Sequence, residues 1–232
     1  MLNTLSIYTK KMNKTFLTGV DETHEYLLKW WYRNITKHNP DTHITICDFG
    51  MSEKVKQWAK NNADCFLEYE KHPKSAWFHK TQALIDSEYD YTCWIDVDCE
   101  VLKPIEDIFN YSQKDKIGFT VDVAREIQQP GTWWATGVNL INGKSQLLSD
   151  WHNILKEEEV RGDQEALHEL ISKSPERSDE IITIPIEYQW LRLQINRGMD
   201  SPDKKVLHWT GPVGKRVIQE ERMNEDDFNF DT

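Results

Sequence analysis

The segment Tyr91 to Leu102 reads YTCWIDVDCEVL, an apolar run that ends in Asp96-Val97-Asp98. In an extended chain, residues i and i+2 project to one side, so both carboxylates leave the carboxyl end of a strand together. Open α/β sheets bind ligands at that edge. Two adjacent carboxylates repel unless a positive charge lies between them. Mg²⁺ or Mn²⁺, which take oxygen ligands, would meet that need. Such an ion also neutralises a diphosphate leaving group. Asp-x-Asp alone is a weak signal, and two solvated aspartates at a strand end read the same way.

Three further groups carry polar or ionisable side chains. Lys80 stands sixteen residues before Asp96, in a helical segment. Gly162-Asp163-Gln164 opens a second helical segment, where Asp163 could equally be a cap. His208 ends the short apolar run Val206 to Trp209 and is followed by Gly211 and Lys215. Imidazole suits Mn²⁺-type ions, although a lone histidine at a strand end is commonly structural.

The elements that must position these residues alternate in type. Leu2 to Thr9 reads as a first strand. A helix follows over 22–38, stopped by Asn39-Pro40. Thr42 to Asp48, Cys65 to Tyr69 and Tyr91 to Asp96 read as strands. Between them lie helices capped by Ser52 and Ser75. This alternation predicts βαβ units and a mixed, mostly parallel sheet with flanking helices. The second half is less regular. Its expected strands are Lys116 to Asp122, Gly137 to Asn142, Ile181 to Ile184 and Val206 to Trp209. Its expected helices are Gly143 to Glu159 and Asp163 to Ser172. Trp133 and Trp134 follow Pro130-Gly131 and read as loop residues. Of the adjacent Trp30 and Trp31, at least one is expected to be less buried.

In their order along Ala76 to Lys215, these blocks resemble glycosyltransferase family eight, the glycogenin-like and bacterial galactosyltransferase-like retaining enzymes. The resemblance implies a single α/β domain of GT-A (Rossmann-like) fold over residues 1–219; by composition, 220–232 read as an acidic, frayed tail. It implies transfer of a hexosyl or pentosyl group from a nucleotide-sugar, a UDP-sugar by analogy. Asp96, Asp98 and His208 would hold Mn²⁺ or Mg²⁺. Tyr8, Thr9, Lys80, Asp96, Gly137, Asn139, Gly211, Lys215 and Arg216 would bind the donor. Asp163 would bind the transferred sugar, with Gln164 near its anomeric carbon. Two departures stand out. Ala135 replaces a usual asparagine in WATGVNLIN. Lys215 comes one residue late, so Arg216 is a candidate substitute on the diphosphate.

Composition narrows the partners. A net charge of −11 over 232 residues argues against a nucleic-acid-coating protein. Residues 1–80 carry 12 Lys/Arg against 9 Asp/Glu, and residues 81–232 carry 16 against 30. The acceptor stays open between a soluble glycan, a protein and a modified nucleic-acid base. No run of about 18 apolar residues exists, so no membrane insertion is expected. Residues 1–14 lack an apolar leader segment, which makes a cytoplasmic location the default expectation. Cys47, Cys65, Cys93 and Cys99 read as free thiols. Two other readings remain: an inactive sugar-nucleotide-binding protein, and an Asp-x-Asp phosphatase or phosphotransferase. The second usually carries its nucleophile on the first strand.

Overall fold

The computed structural model describes residues 13–231, apart from 73–74, 130 and 158–159. The strand expected over Leu2 to Thr9, with Tyr8 and Thr9, lies outside those residues. The first strand described is β1, Lys14–Val20, whose Phe16 and Leu17 are fully buried on opposite faces. Burial on both faces is what a central parallel strand requires.

The expected alternation then appears. It runs α1 (Leu28–His38), β2 (His43–Asp48), α2 (Glu53–Asn62), β3 (Cys65–Glu68), α3 (Lys80–Asp86) and β4 (Tyr91–Ile95). Asn39 ends α1, its side-chain amide donating to Ile35 O at 3.2 Å. Ser52 caps α2 by accepting from Val55 N. Ser75 caps nothing with its side chain, because a 3₁₀ turn, Ala76–His79, precedes α3. A similar turn, Glu25–Leu27, replaces the first part of the expected helix over 22–38.

The second half adds β5 (Cys99–Val101), β6 (Ile117–Val121), α4 (Val123–Glu126) and β7 (Trp134–Asn142). There follow α5 (Gln146–Glu157), α6 (Asp163–Lys173), β8 (Ile181–Thr183), β9 (Trp190–Leu191), α7 (Arg192–Ile195), β10 (Val206–His208) and α8 (Gly211–Val217). The main sheet has the order β3-β2-β1-β4-β7-β6-β8. Strands β3, β2, β1 and β4 are parallel, and β7 runs antiparallel to both β4 and β6. A small second sheet, β5-β10-β9, lies beyond the end of β4.

Helices cover both faces. Leu28, Trp31 and Ile35 of α1, with Val55 and Trp58 of α2, pack on Phe16, Ile44 and Ile46. On the other face, Leu84 of α3, Trp151 of α5 and Leu167 of α6 pack on Leu17, Trp94 and Ile141. Each buried aliphatic side chain stabilises by about 1.5–3 kcal/mol. Trp30 and Trp31 are both buried, contrary to the expectation for the pair. Helix α1 is covered by the sheets on one side and by the C-terminal segment on another.

That C-terminal segment, expected to fray, lies against the core. Asp227 is 1% exposed and accepts from Arg33 Nη2 at 2.6 Å. Lys29 Nζ donates to Asn229 O, and Phe230 packs edge-on to Trp58. The apolar residues Met223 and Phe230, set among the acids, dock the segment on the core. The four cysteines are free, as expected.

Candidate active site

Strand β4 stops at Ile95, and Asp96, Val97 and Asp98 form a turn into β5. Asp96 N donates to Gly137 O at 2.8 Å, and Cys99 N donates to Asp96 O at 2.9 Å. The two carboxylates therefore leave a tight turn after the strand rather than an extended strand, and both still line one cavity. Antiparallel pairing of β10 with β5 sets His208 opposite Cys99, which brings the imidazole beside Asp98.

A chain of alternating charges runs across the floor of the cavity. Lys80, 3% exposed at the first turn of α3, lies 2.9 Å from Asp96 Oδ1 and 2.6 Å from Asp163 Oδ2. Its third donor reaches Thr136 O at 2.9 Å. Burial alone would lower the Lys80 pKa, but Asp163 and Asp96 outweigh it and hold the ammonium charged. Trp94 Nε1 also donates to Asp96 Oδ1, at 2.6 Å. Across the turn, Lys215 Nζ lies 2.5 Å from Asp98 Oδ2. Burial raises the Asp98 pKa, but His208 and Lys215 overcome that and keep the carboxyl far below the usual range. Burial pushes Asp96 upward, with Lys80 and His208 opposing.

The donor set suits a divalent cation. His208 Nε2 lies 3.2 Å from Asp98 Oδ1 and 3.9 Å from Asp96 Oδ2. Cis ligand atoms of an octahedral ion at about 2.1 Å would be about 3 Å apart. Cys99 Sγ is also within reach of Asp98 and His208. Burial, with Asp98 and Asp96, pushes its thiol pKa far up. Sulfur is a soft ligand and a poorer match than a carboxylate oxygen for a hard ion such as Mg²⁺.

The cavity holds about 520 Å³. Besides the charged floor, it is lined by Gly19 and Asp21 at the end of β1, and by Trp77, Arg161 and Gly211. A smaller cavity of about 150 Å³ adjoins it, walled by Asp122, Arg125, Gln128, Leu191 and Leu193. Thr136, Gln164, His208 and Thr210 line both. Gln164 Nε2 donates to Asp122 Oδ2 at 2.9 Å. Arg125 pairs with Glu165 and lies over the Trp133 ring, which stacks on His168. Trp133 lies in the loop before β7, as expected, and is buried in this stack, whereas Trp134 begins β7 and is not a loop residue. Gly137 admits no side chain: a Cβ there would lie 2.5 Å from His208 and 2.7 Å from Gln189.

Of the residues anticipated from sequence, Lys80, Asp96, Asp98, Asp163, Gln164, His208, Gly211 and Lys215 line the larger cavity. Gly137 lines the smaller one. Asn139 lines neither. It is fully buried, and its Nδ2 donates to Thr136 O at 2.7 Å, which supports the carbonyl that Lys80 engages. Arg216 is exposed and outside both cavities. Gln189, Asp122, Arg125, Arg161 and Trp77 were not anticipated. Only Asp122, an acid closing a predicted strand, carried a usable sequence signal.

No protein-family model and no curated protein sequence matches this chain. Solved structures do. A galactosyltransferase, LgtC, in complex with donor and acceptor sugar analogs, aligns with TM-score 0.65 over 85% of this chain and 87% of its own, at 14% identity. The apo form of the Streptococcus pneumoniae TIGR4 glycosyltransferase GlyE aligns at TM-score 0.64 and 14% identity, over 87% of this chain and 55% of its own. The bifunctional glycosyltransferase WbbM aligns at 0.61 and 11%, over 88% of this chain and 46% of its own. The mixed seven-stranded sheet with its flanking helices is that of the GT-A glycosyltransferases. Among the described residues, no helix is long and apolar enough to cross a membrane.

Proposed function

We propose that this chain is a metal-dependent glycosyltransferase that moves a sugar from a nucleoside-diphosphate sugar, a UDP-sugar by analogy, to an acceptor hydroxyl. One observation carries the reading. Asp96, Asp98 and His208, from distant parts of the sequence, converge on a large cavity at a GT-A strand end. Asp96, Asp98 and His208 would hold Mn²⁺ or Mg²⁺, which supplies charge neutralisation to the departing diphosphate. Lys215 adds a second positive charge for that leaving group. Lys80 orders Asp163, which faces the transferred sugar.

The smaller cavity is the acceptor side in this reading. Its volume and mixed walls suit one sugar ring: Asp122, Gln128 and Thr136 offer polar partners, and Leu191 and Leu193 an apolar face. A glycan end group is therefore favoured over a nucleic-acid base. Gln164 stands where the two cavities meet. Its neutral amide is a poor covalent nucleophile, and Asp163 is tied to Lys80. The resemblance to a retaining family favours transfer with retention, by attack on the face the phosphate leaves, with the acceptor proton passing to a departing phosphate oxygen. The test is a screen of labelled nucleotide sugars with Mn²⁺, read by donor hydrolysis and product mass. Proton NMR of the first product gives the anomer. No turnover of any donor would reject transferase activity, and a β-linked product from an α-linked donor would reject retention.

A further inference from the structure

Gln189 is 1% exposed and sits behind the imidazole of His208. Its Oε1 accepts from Val138 N at 2.8 Å and from Thr120 Oγ1 at 3.4 Å. A backbone N–H only donates, so Val138 fixes which end of the amide is oxygen. The NH₂ end then faces His208 Nδ1 at 3.2 Å. An imidazole meets such a donor with a lone pair, which places the proton of the neutral ring on Nε2. Nε2 is the nitrogen that faces Asp98 and Asp96.

Neither partner has an easy alternative. Turning the amide over would set NH₂ against Val138 N–H, two donors face to face in a buried site. Gly137 packs so closely on the pair that even a methyl group would overlap both side chains. Metal-ligating imidazoles almost always donate their other N–H to a carboxylate or carbonyl, which leaves the lone pair on the ligating nitrogen. Behind His208 that polarity is reversed.

We propose that Gln189 is a positioning residue that holds His208 in its Nε2–H tautomer and so keeps the protein's own metal affinity low. Ligation by Nε2 then requires the ring proton to leave that nitrogen, at the cost of the Gln189 contact. The ion is held firmly only when a diphosphate adds its oxygens, which couples metal retention to donor. This rests on the metal-dependent reading above.

The experiment is calorimetric titration of the full chain with Mn²⁺, with and without UDP, for wild type, Gln189→Glu and Gln189→Met. In Gln189→Glu one oxygen keeps Val138 N–H and the other accepts from Nδ1–H. Mn²⁺ should then bind about 10-fold or more tightly without UDP. Gln189→Met adds no charge and removes the donor, so it should tighten binding by a smaller factor and separate the tautomer effect from simple attraction. The ¹⁵N shifts of His208 at alkaline pH, where the ring is neutral, should show Nε2–H in wild type and Nδ1–H in Gln189→Glu. Wild-type spectra alone decide if a variant fails to fold. An Nδ1–H tautomer in wild type, or equal Mn²⁺ affinity in all three proteins, overturns the proposal. Wild type that binds no Mn²⁺ even with UDP sinks the metal-dependent reading as well.

Discussion

The two cavities share a wall but are built on opposite principles. The larger is lined by full charges held in alternating pairs, with Lys80 between Asp96 and Asp163 and Lys215 against Asp98. The smaller turns toward the ligand a set of side chains that already satisfy one another: Asp122 with Gln164, Arg125 with Glu165, Gln189 with His208. Charged pairs can be reopened by a charged ligand, because a diphosphate and its ion offer equivalent partners. A wall whose polar groups, Asp122 and Arg125 included, are already paired within it recognises hydroxyls by shape and position instead. On the proposed reading, the difference separates a side that would stabilise developing charge from a side that would orient an acceptor.

The contrast can be broken from the charged side first. Asp98→Ala should lower turnover about 10³-fold in saturating Mn²⁺, the loss expected when several kcal/mol of charge stabilisation disappear. Its circular dichroism should be unchanged. Turnover within a few fold of wild type would detach Asp98 from the chemistry.

Lys80→Met should cost stability as well as activity. It leaves Asp96 and Asp163 facing each other in a buried site, a change worth about 3–5 kcal/mol when one partner of a buried pair is removed. Urea unfolding without added metal measures it, and a shift below about 1 kcal/mol would mean that solvent screens the cluster.

The internally paired side should respond differently. Asp122→Ala frees Gln164 and opens the smaller cavity. Acceptor KM should rise about 10-fold while donor hydrolysis stays within about twofold. Equal damage to both reactions would merge the two cavities into one functional unit. The smallest effect belongs to Arg216→Ala, which should change neither donor affinity nor stability by more than about 0.5 kcal/mol. A clear loss of donor affinity would restore Arg216 to the diphosphate site.

These sites were unequally legible in the sequence. The parallel half could be read because local signals bound each element: Ser52 caps α2 and Asn39 ends α1. Asp96, Asp98, Asp163 and His208 announced themselves by type and by order along the chain. Arg216 lies outside both cavities because adjacent residues of a helix point about 100° apart, and of the pair Lys215 lines the larger one. Asn139 lines neither cavity because strand β7 is buried along most of its length, and its place behind Thr136 depends on pairing with β4. Gln189 and Arg125 carried no local signal. They reach the site through the β10–β9 pairing and the irregular register of β6 with β7, which no short stretch of sequence encodes.

The hydrogen bond from Trp94 to Asp96 also gives the molecule an optical handle. The indole N–H touches one end of the carboxylate, and the Lys80 ammonium lies 5.5 Å from the ring centroid. Indole emission responds to charge held this close to its ring. Whatever draws Asp96 or Lys80 toward a ligand alters that charge, so Trp94 reports occupancy of the larger cavity as a change in colour or brightness. The other nine tryptophans add a background that a Trp94→Phe difference spectrum subtracts.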